Sequence, residues 1–226
     1  MKAIIFDSGT LISLSMTGLI DELRDLKKIF NGHFLITKDV KREVIDKPLT
    51  IKRFELEALR VKQLLDEKIL EMPDSLKIDN NFLSEKTKEI MNIANSTFLG
   101  RGKEIHIIDS GEASCLALSK ILTDKKIENV IAVDERTTRF LGEKPEGIKK
   151  LMGKKLHTDV TSKKDNYKFF KEFKFIRSTE LMYVAYKKGL IDIKDNGLVL
   201  DAILYALMFK GCAISGDEIR EIKSLK

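Results

Sequence analysis

Ala3-Ile4-Ile5-Phe6-Asp7-Ser8-Gly9-Thr10 sets four apolar residues in succession, then an acid, then small polar residues. An uninterrupted apolar run of this length, bounded by turn residues, reads as a strand buried on both faces. Strands of that kind belong to parallel sheets covered by helices. The segments that follow agree. Leu19, Ile20, Leu23, Leu26 and Phe30 recur at helical intervals, and Phe34-Leu35-Ile36-Thr37 is a short second strand. Asp39 to Asp46 predicts a helix stopped before Pro48, with Val40 and Val44 inward and Glu43 beside them. Ser8-Gly9-Thr10 reads as a turn between the first strand and the first helix.

Residues 50–104 predict a helix, a short strand at Ile69-Leu70-Glu71-Met72, a polar loop and a further helix. Asp109-Ser110-Gly111-Glu112 opens an Ala/Leu-rich helix to about Leu122, and Asn129 to Val133 is an apolar strand ending at Asp134. Phe173 to Ile176 forms the last strand. Ser178 is expected to cap a helix ending in Lys187-Lys188-Gly189. Leu198 to Phe209 is another helix. Ser215 and Glu218 form a capping box for the final one, with Ile214 and Ile219 as its staple. Strands alternating with helices predict one α/β domain over 1–226, with a mainly parallel sheet covered on both faces.

The bulk composition sets outer limits. Hydrophobic residues are 43% and charged residues 34%, which excludes a disordered chain. No apolar run approaches the roughly 20 residues of a membrane span, and Met1 to Asp7 lacks the pattern of a signal peptide. Cys115 and Cys212 lie in apolar helical contexts and read as reduced core thiols, pointing to a cytoplasmic protein without membrane contact. The formal charge of +6 leans weakly toward polyanionic partners.

Functional groups in an open parallel sheet collect at the carboxyl ends of strands. Asp7 closes the first strand and Asp134 a later one, so both are expected at the same edge. Glu43 follows the second strand, and Glu112 lies in the first turn of the helix before the strand that ends at Asp134. Converging carboxylates about 4 Å apart repel by roughly 4 kcal/mol per pair at an effective dielectric near 20. Protons or a hard cation must relieve that, and oxygen ligands suit Mg²⁺ or Mn²⁺. Such a cluster activates water and stabilises the charge of phosphodiester hydrolysis. Each acid also has a purely structural reading. Asp7 starts a turn, Asp134 caps a helix beginning at Glu135, Glu43 lies on a solvated helix face, and Asp109 with Glu112 forms a capping box.

Ile5-Phe6-Asp7-Ser8-Gly9-Thr10-Leu11-Ile12, Val40 to Val44 around Glu43, Gly111-Glu112-Ala113 through Leu118, and Val130 through Asp134 to Arg136 occur in that order. In their order and approximate context they resemble PIN-domain proteins. Phe173 through Gly189 resembles the late strand and helix of that family, and Gly211 through Glu218 its C-terminal extension in some members. The resemblance implies a three-layer α/β/α fold with a mainly parallel central sheet. It implies catalytic metal ligands at Asp7, Glu43, Glu112 and Asp134, with Mg²⁺ or Mn²⁺ bound. The implied activity is that of an endoribonuclease on RNA, or on single-stranded DNA, sometimes as the toxin of a toxin–antitoxin pair. An antitoxin-like partner protein and a homodimer are implied in the same way. Two features depart from the pattern. The family's third acid is Asp, whereas this chain has Glu112, with Asp109 one turn earlier as a further candidate ligand. The chain also carries insertions near 50–104 and 142–171 and a helical extension over 190–226.

Other chemistries lack their residues. Haloacid-dehalogenase phosphatases need an acid two residues after the first Asp, and position 9 is Gly. His33, His106 and His157 lack zinc-ligand spacing, and no G-x-x-x-x-G-K loop occurs. The rival of another class is a PIN-like module that binds RNA or a partner protein without cutting. Lys149 to Lys171 holds eight lysines against Asp159 and Asp165, a local excess equal to the whole chain's formal charge. Lys154, Lys155, Lys163 and Lys164 are its candidate RNA contacts. Tyr167, Phe169 and Phe170 are either base-stacking surfaces or inward packing groups.

Overall fold

The structure, a computed structural model, describes residues 1–194 and 197–225. Asp195, Asn196 and Lys226, part of the expected C-terminal extension, lie outside the described residues. Strand β1 (Lys2–Phe6) sits inside a four-stranded sheet, between β2 (His33–Leu35) and a strand formed by Glu128–Ala132. Both pairings are parallel, with Ile5 opposite Leu35 on one side and Ile131 on the other. Ala3 to Phe6 are all buried, as a strand covered on both faces requires.

Helix α1 (Ser8–Met16) starts immediately after the strand. Ser8-Gly9-Thr10 is therefore not a separate turn but the first turn of a helix capped by Asp7, whose side chain accepts the Gly9 N–H. The single helix expected over 19–30 is α2 (Glu22–Ile29), with Leu23 and Leu26 buried. Thr37 caps α3 (Lys38–Lys41), which runs on into a π-helical turn at Arg42–Asp46 and a 3₁₀ turn at Pro48–Thr50.

Residues 50–104 contribute α4 (Glu55–Asp66), a 3₁₀ turn at Pro73–Leu76, α5 (Asn80–Thr97), β3 (Phe98–Gly100) and β4 (Lys103–Glu104). The strand expected at 69–72 shrinks to one parallel bridge, Leu35 to Glu71. Helix α6 (Ser110–Asp124) packs on β1 and on β5 (Glu128–Ala132). Helices α7 (Arg136–Glu143) and α8 (Pro145–Leu156) follow, then β6 (Val160–Ser162) and the short α9 (Tyr167–Phe170). β6 pairs antiparallel with β3, and β3 with β4, so the two segments expected near 50–104 and 142–171 form one small second sheet. Tyr167 and Phe170 are buried there, Tyr167 packing 5.9 Å from the Phe98 ring. Phe169 packs on Phe170 and Phe173. Of the two readings of these aromatics, inward packing is the one the fold adopts for Tyr167 and Phe170, with Phe169 half-buried beside them.

β7 (Phe175–Ile176) adds to β5 in parallel, giving the order β2-β1-β5-β7. The architecture is mixed α/β around an all-parallel central sheet. Helices α10 (Ser178–Lys187), α11 (Val199–Phe209) and α12 (Gly216–Ser224) complete it. Ser178 is the first residue of α10 rather than its cap, and its hydroxyl is used elsewhere. Arg177 binds α12 to this region through Glu180 and through Glu218, whose oxygen lies 2.6 Å from the guanidinium. The expected Ser215/Glu218 box is present, with Ile214 and Ile219 both buried.

Burial tends to raise the Glu218 carboxyl, but the Ser215 N–H and the Arg177 guanidinium hold it down, to about 2 from an ordinary 4.5. A folded pKa below the unfolded one gives stability that is complete above about 4.5 and lost as pH falls toward 2. Glu218→Gln is therefore expected to lower the melting temperature at pH 7. Melts across a pH series should show the gap to the parent closing between pH 4.5 and 2. A gap that stays constant through that window would detach Glu218 from the ion pair.

Candidate functional site

Asp7 leaves the sheet with its N–H still bonded to the Ala132 carbonyl of β5, 2.9 Å away. Its side chain cannot swing out, because the same residue caps α1 through the Gly9 N–H at 3.1 Å. The carboxylate is thus held beneath the surface, 3% exposed, and its Oδ1 has no hydrogen-bond partner. A buried, unpaired carboxylate oxygen is among the costliest groups a fold can retain. Burial, then the nearby Glu112 charge and to a smaller extent Glu43, push the Asp7 carboxyl from 3.8 up to about 7. The Gly9 and Ser8 N–H groups pull the other way.

Glu43 comes from the π-helical turn after α3, a geometry that recurs at functional sites. Its carboxylate lies against the Gly111 backbone at the start of α6. A Cβ on Gly111 would stand 2.7 Å from Glu43 Oε2, so only glycine admits this approach without displacement. One residue further on, Glu112 accepts the Thr138 hydroxyl at 2.6 Å and the Asp109 N–H at 2.8 Å. Burial raises the Glu112 carboxyl above its ordinary range, against those two donors, and the charges of Glu135 and Asp109 add to the rise. Glu112 is therefore both the capping-box residue and a member of the acid cluster.

Beneath these acids lies the Cys115 thiol, bonded to the Phe6 carbonyl at 3.7 Å. Burial, then the charges of Asp7, Glu112 and Glu43, push it well above its ordinary value, so it stays a thiol. Gly111, Glu112 and Cys115 all lie at the start of α6, so Glu43, Glu112 and the end of β1 at Phe6 meet the same stretch of that helix. Asp109 points away: it is exposed, and its Oδ1 sits 2.7 Å from His106 Nε2.

Asp134 reaches the same sheet edge as Asp7, since β1 and β5 are adjacent and Phe6 is in register with Ala132. It does not cap the helix that follows, whose N-cap is Glu135. Its two oxygens instead accept the N–H and the hydroxyl of Ser178, each at 2.8 Å, at the start of α10. The Asp134 carbonyl accepts the Ala213 N–H, and burial with the Asp134 charge lifts the adjacent Cys212 thiol to about 12. Both cysteines are buried and free.

The structure therefore brings Asp7, Glu43 and Glu112 together, sets Asp134 beside them at the same edge but engaged by Ser178, and leaves Asp109 outside. Among the described residues no three acids, histidines or cysteines are already placed to share one metal ion. A carboxylate has about four lone-pair positions, so Asp134 keeps capacity beyond Ser178. The donor type suits a hard divalent cation, and Asp7 Oδ1 is the oxygen left free for one.

Thr138, Ser178, Cys115 and Asn95 were not legible as parts of this site. Asn95 is the least expected: from α5, its side chain accepts the N–H groups of Ile107 and Ile108 and donates to the Ile108 carbonyl. It braces the extended segment that delivers Asp109 and Glu112. A lone Asn in a polar helix carries no sequence signal for that. Comparison with models of known families, with curated proteins and with solved structures finds no match for this chain.

The unfolded Asp7 carboxyl ionises near 3.8 and the folded one near 7. Between these values the folded chain holds the extra proton, so stability falls as pH rises through that window. At about 1.4 kcal/mol per pH unit the cost reaches at most about 4 kcal/mol. In metal-free buffer Asp7→Asn is expected to melt above the parent at pH 8, with the two curves meeting near pH 4. Parallel curves from pH 4 to 8 would refute the buried-carboxylate account.

Proposed function

We propose that this chain is a divalent-metal-dependent nuclease with a PIN-like three-layer α/β/α fold, an endoribonuclease that hydrolyses RNA phosphodiester bonds. The observation that carries this reading is the buried, unpartnered Asp7 Oδ1, held among Glu43 and Glu112 at the carboxyl edge of a parallel sheet. A fold tolerates such an oxygen when a cation or proton completes it. The order and context of the acids resemble the PIN family's ligand set, which supports the same assignment.

In this reading Asp7, Glu43, Glu112 and Asp134 would hold Mg²⁺ or Mn²⁺. When bound, such an ion supplies Lewis-acid stabilisation of the developing phosphoryl charge and lowers the pKa of attacking water. The chain's own residues do the positioning. Thr138 and the Asp109 N–H fix the Glu112 carboxylate, so that its orientation does not depend on the ligand. Ser178 fixes Asp134 in the same manner. Gly111 leaves room for Glu43. The raised Asp7 carboxyl would give up its proton on taking the ion, so binding would release a proton near neutral pH.

RNA is the proposed substrate, with Lys154, Lys155, Lys163 and Lys164 as phosphate contacts. All four are exposed; Lys163 stands 3.9 Å from Glu104 and Lys164 3.8 Å from Glu146. Exposed pairs of this kind are weak enough to yield to phosphates. The rival reading, a PIN-like module that binds without cutting, draws on the engagement of both Asp134 oxygens by Ser178.

Incubation with single-stranded and structured RNAs, with and without Mn²⁺, separates the two. Cleavage is expected only with the ion, and Asp7→Asn and Asp134→Asn should each reduce it at least about 100-fold at an unchanged far-UV spectrum. Glu112→Gln should impair cleavage more than Asp109→Asn, because Asp109 faces away. No cleavage by the parent, together with no Mn²⁺ binding by calorimetry, would leave the non-catalytic module. The reverse ranking of the two variants would move the third ligand to Asp109.

A further inference from the structure

Two basic cavities meet at Thr158. One, of about 470 Å³, lies between the β3–β4 hairpin and α8, with Arg101, Lys103 and Lys155 among its lining. The other, of about 770 Å³, runs along α8 past Lys149, Lys150 and Lys154. Together the two linings hold six lysines and arginines against two acids, Glu104 and Asp159. Among the described residues Lys149 is the one of the six with an ion pair, 3.4 Å from Glu146. The other five are exposed. Arg101 is also held in place. With Gly102 it forms the tight turn of the hairpin, φ 51° and 75°, a left-handed position that few residues other than glycine take. From there its Nε donates to the Thr158 hydroxyl at 3.3 Å, and among the described residues no other group takes its two terminal nitrogens. A guanidinium fixed by one edge with its fork open is a receptor for phosphate.

We propose that this surface grips the phosphate backbones of a base-paired RNA stem. The inference deepens the nuclease reading, rests on it for the class of ligand, and names the form of the RNA. Two observations favour paired over single-stranded RNA. Neither lining contains a Phe or Tyr, and Tyr167 and Phe170 of the same region are buried. Single strands are held largely by bases stacking on such rings, whereas paired RNA hides its bases and is recognised through phosphates and shape. The cations also fall into two groups. At about 100° per residue, Met152 and Lys155 of the first cavity lie on the opposite face of α8 from Lys150 and Lys154 of the second. A helix with its side chains is about 10–12 Å across, so the groups are spaced for two backbones on either side of a groove. His106 joins this surface to the acids. It lines the first cavity, and its Nε2 lies 2.7 Å from Asp109, whose N–H holds Glu112. A stem seated here flanks the strand that is cut.

The test separates stem binding from cleavage. The full chain is titrated in EDTA, where no metal-dependent hydrolysis occurs, with a dye-labelled RNA hairpin and with a shuffled strand of equal length and composition that cannot pair. The hairpin is expected to bind about tenfold or more tighter. Arg101→Asn, which suits the left-handed turn, is combined with Lys103→Gln and Lys150→Gln. This variant should lose most of that preference and flatten the log–log salt dependence of hairpin binding by roughly 0.9 per lost contact, or about 3 units. The same charge removed outside both cavities, by Lys52→Gln, Lys62→Gln and Lys88→Gln, should leave the slope as it is. Lys103→Gln with Lys150→Gln alone, expected to flatten it by about 2 units, serves should the change at Arg101 disturb the hairpin. Equal affinity for hairpin and strand, or a slope unchanged in these variants, overturns the proposal. A hairpin preference without any Mn²⁺-dependent cutting upholds the surface and sinks the nuclease reading. Mn²⁺-dependent cutting with no hairpin preference does the opposite.

Discussion

A carboxylate buried at the end of the innermost strand constrains everything around it. Asp7 is fixed by two covalently adjacent duties, completing the β1–β5 ladder and capping α1, and neither lets its side chain reach bulk water. Its environment makes the burial worse, since Glu112 and Glu43 add negative charge to the same space. Like charges about 4 Å apart repel by roughly 4 kcal/mol at an effective dielectric near 20. A fold gains nothing in stability from such an arrangement, and groups that cost stability without structural return cluster at functional sites.

The surrounding structure is organised to hold these acids in place. Donors near the cluster serve orientation: Thr138 for Glu112, Ser178 for Asp134, and Gly9 for Asp7. The segments on either side of the second sheet share that task. They join through β3 and β6, and α5 packs along α6, the helix that carries Gly111, Glu112 and Cys115. Through Asn95, α5 also fixes the segment entering α6. These segments are thus a buttress behind the acids. The C-terminal segment plays the matching part on the other side, with Ala213 closing on Asp134 and Arg139 donating to the Ala213 carbonyl at 2.8 Å.

Much of the fold was legible because burial leaves a period in the chain. Four apolar residues before Asp7 gave the central strand, the run before Asp134 gave its neighbour, and strand–helix alternation gave the parallel sheet. Caps were read less well. Ser178 looked like an N-cap from its residue type and place, yet its hydroxyl serves Asp134, and the capping role that was the alternative reading of Asp134 falls to Glu135. A short polar side chain has several backbone and side-chain partners within reach, and its identity alone does not choose among them. The aromatics of the basic stretch were ambiguous for a similar reason, since stacking on bases and packing on Phe98 need the same residue types.

By itself, then, the sequence determined that Asp7 and Asp134 each end an apolar strand of the central sheet, because a run of hydrophobic residues is a local property; β3, β4 and β6 left no such run. It also marked Glu43 and Glu112 as acids in helical positions near that edge. Only the tertiary structure decided that Glu112 turns inward while Asp109 turns out to His106, and that Glu43 closes on Gly111. It alone brought Ser178 to Asp134 and left Asp7 Oδ1 and Glu57 Oε2 without partners. These are contacts between segments distant in the chain, whose side-chain directions follow from packing, and packing has no signature in a single sequence.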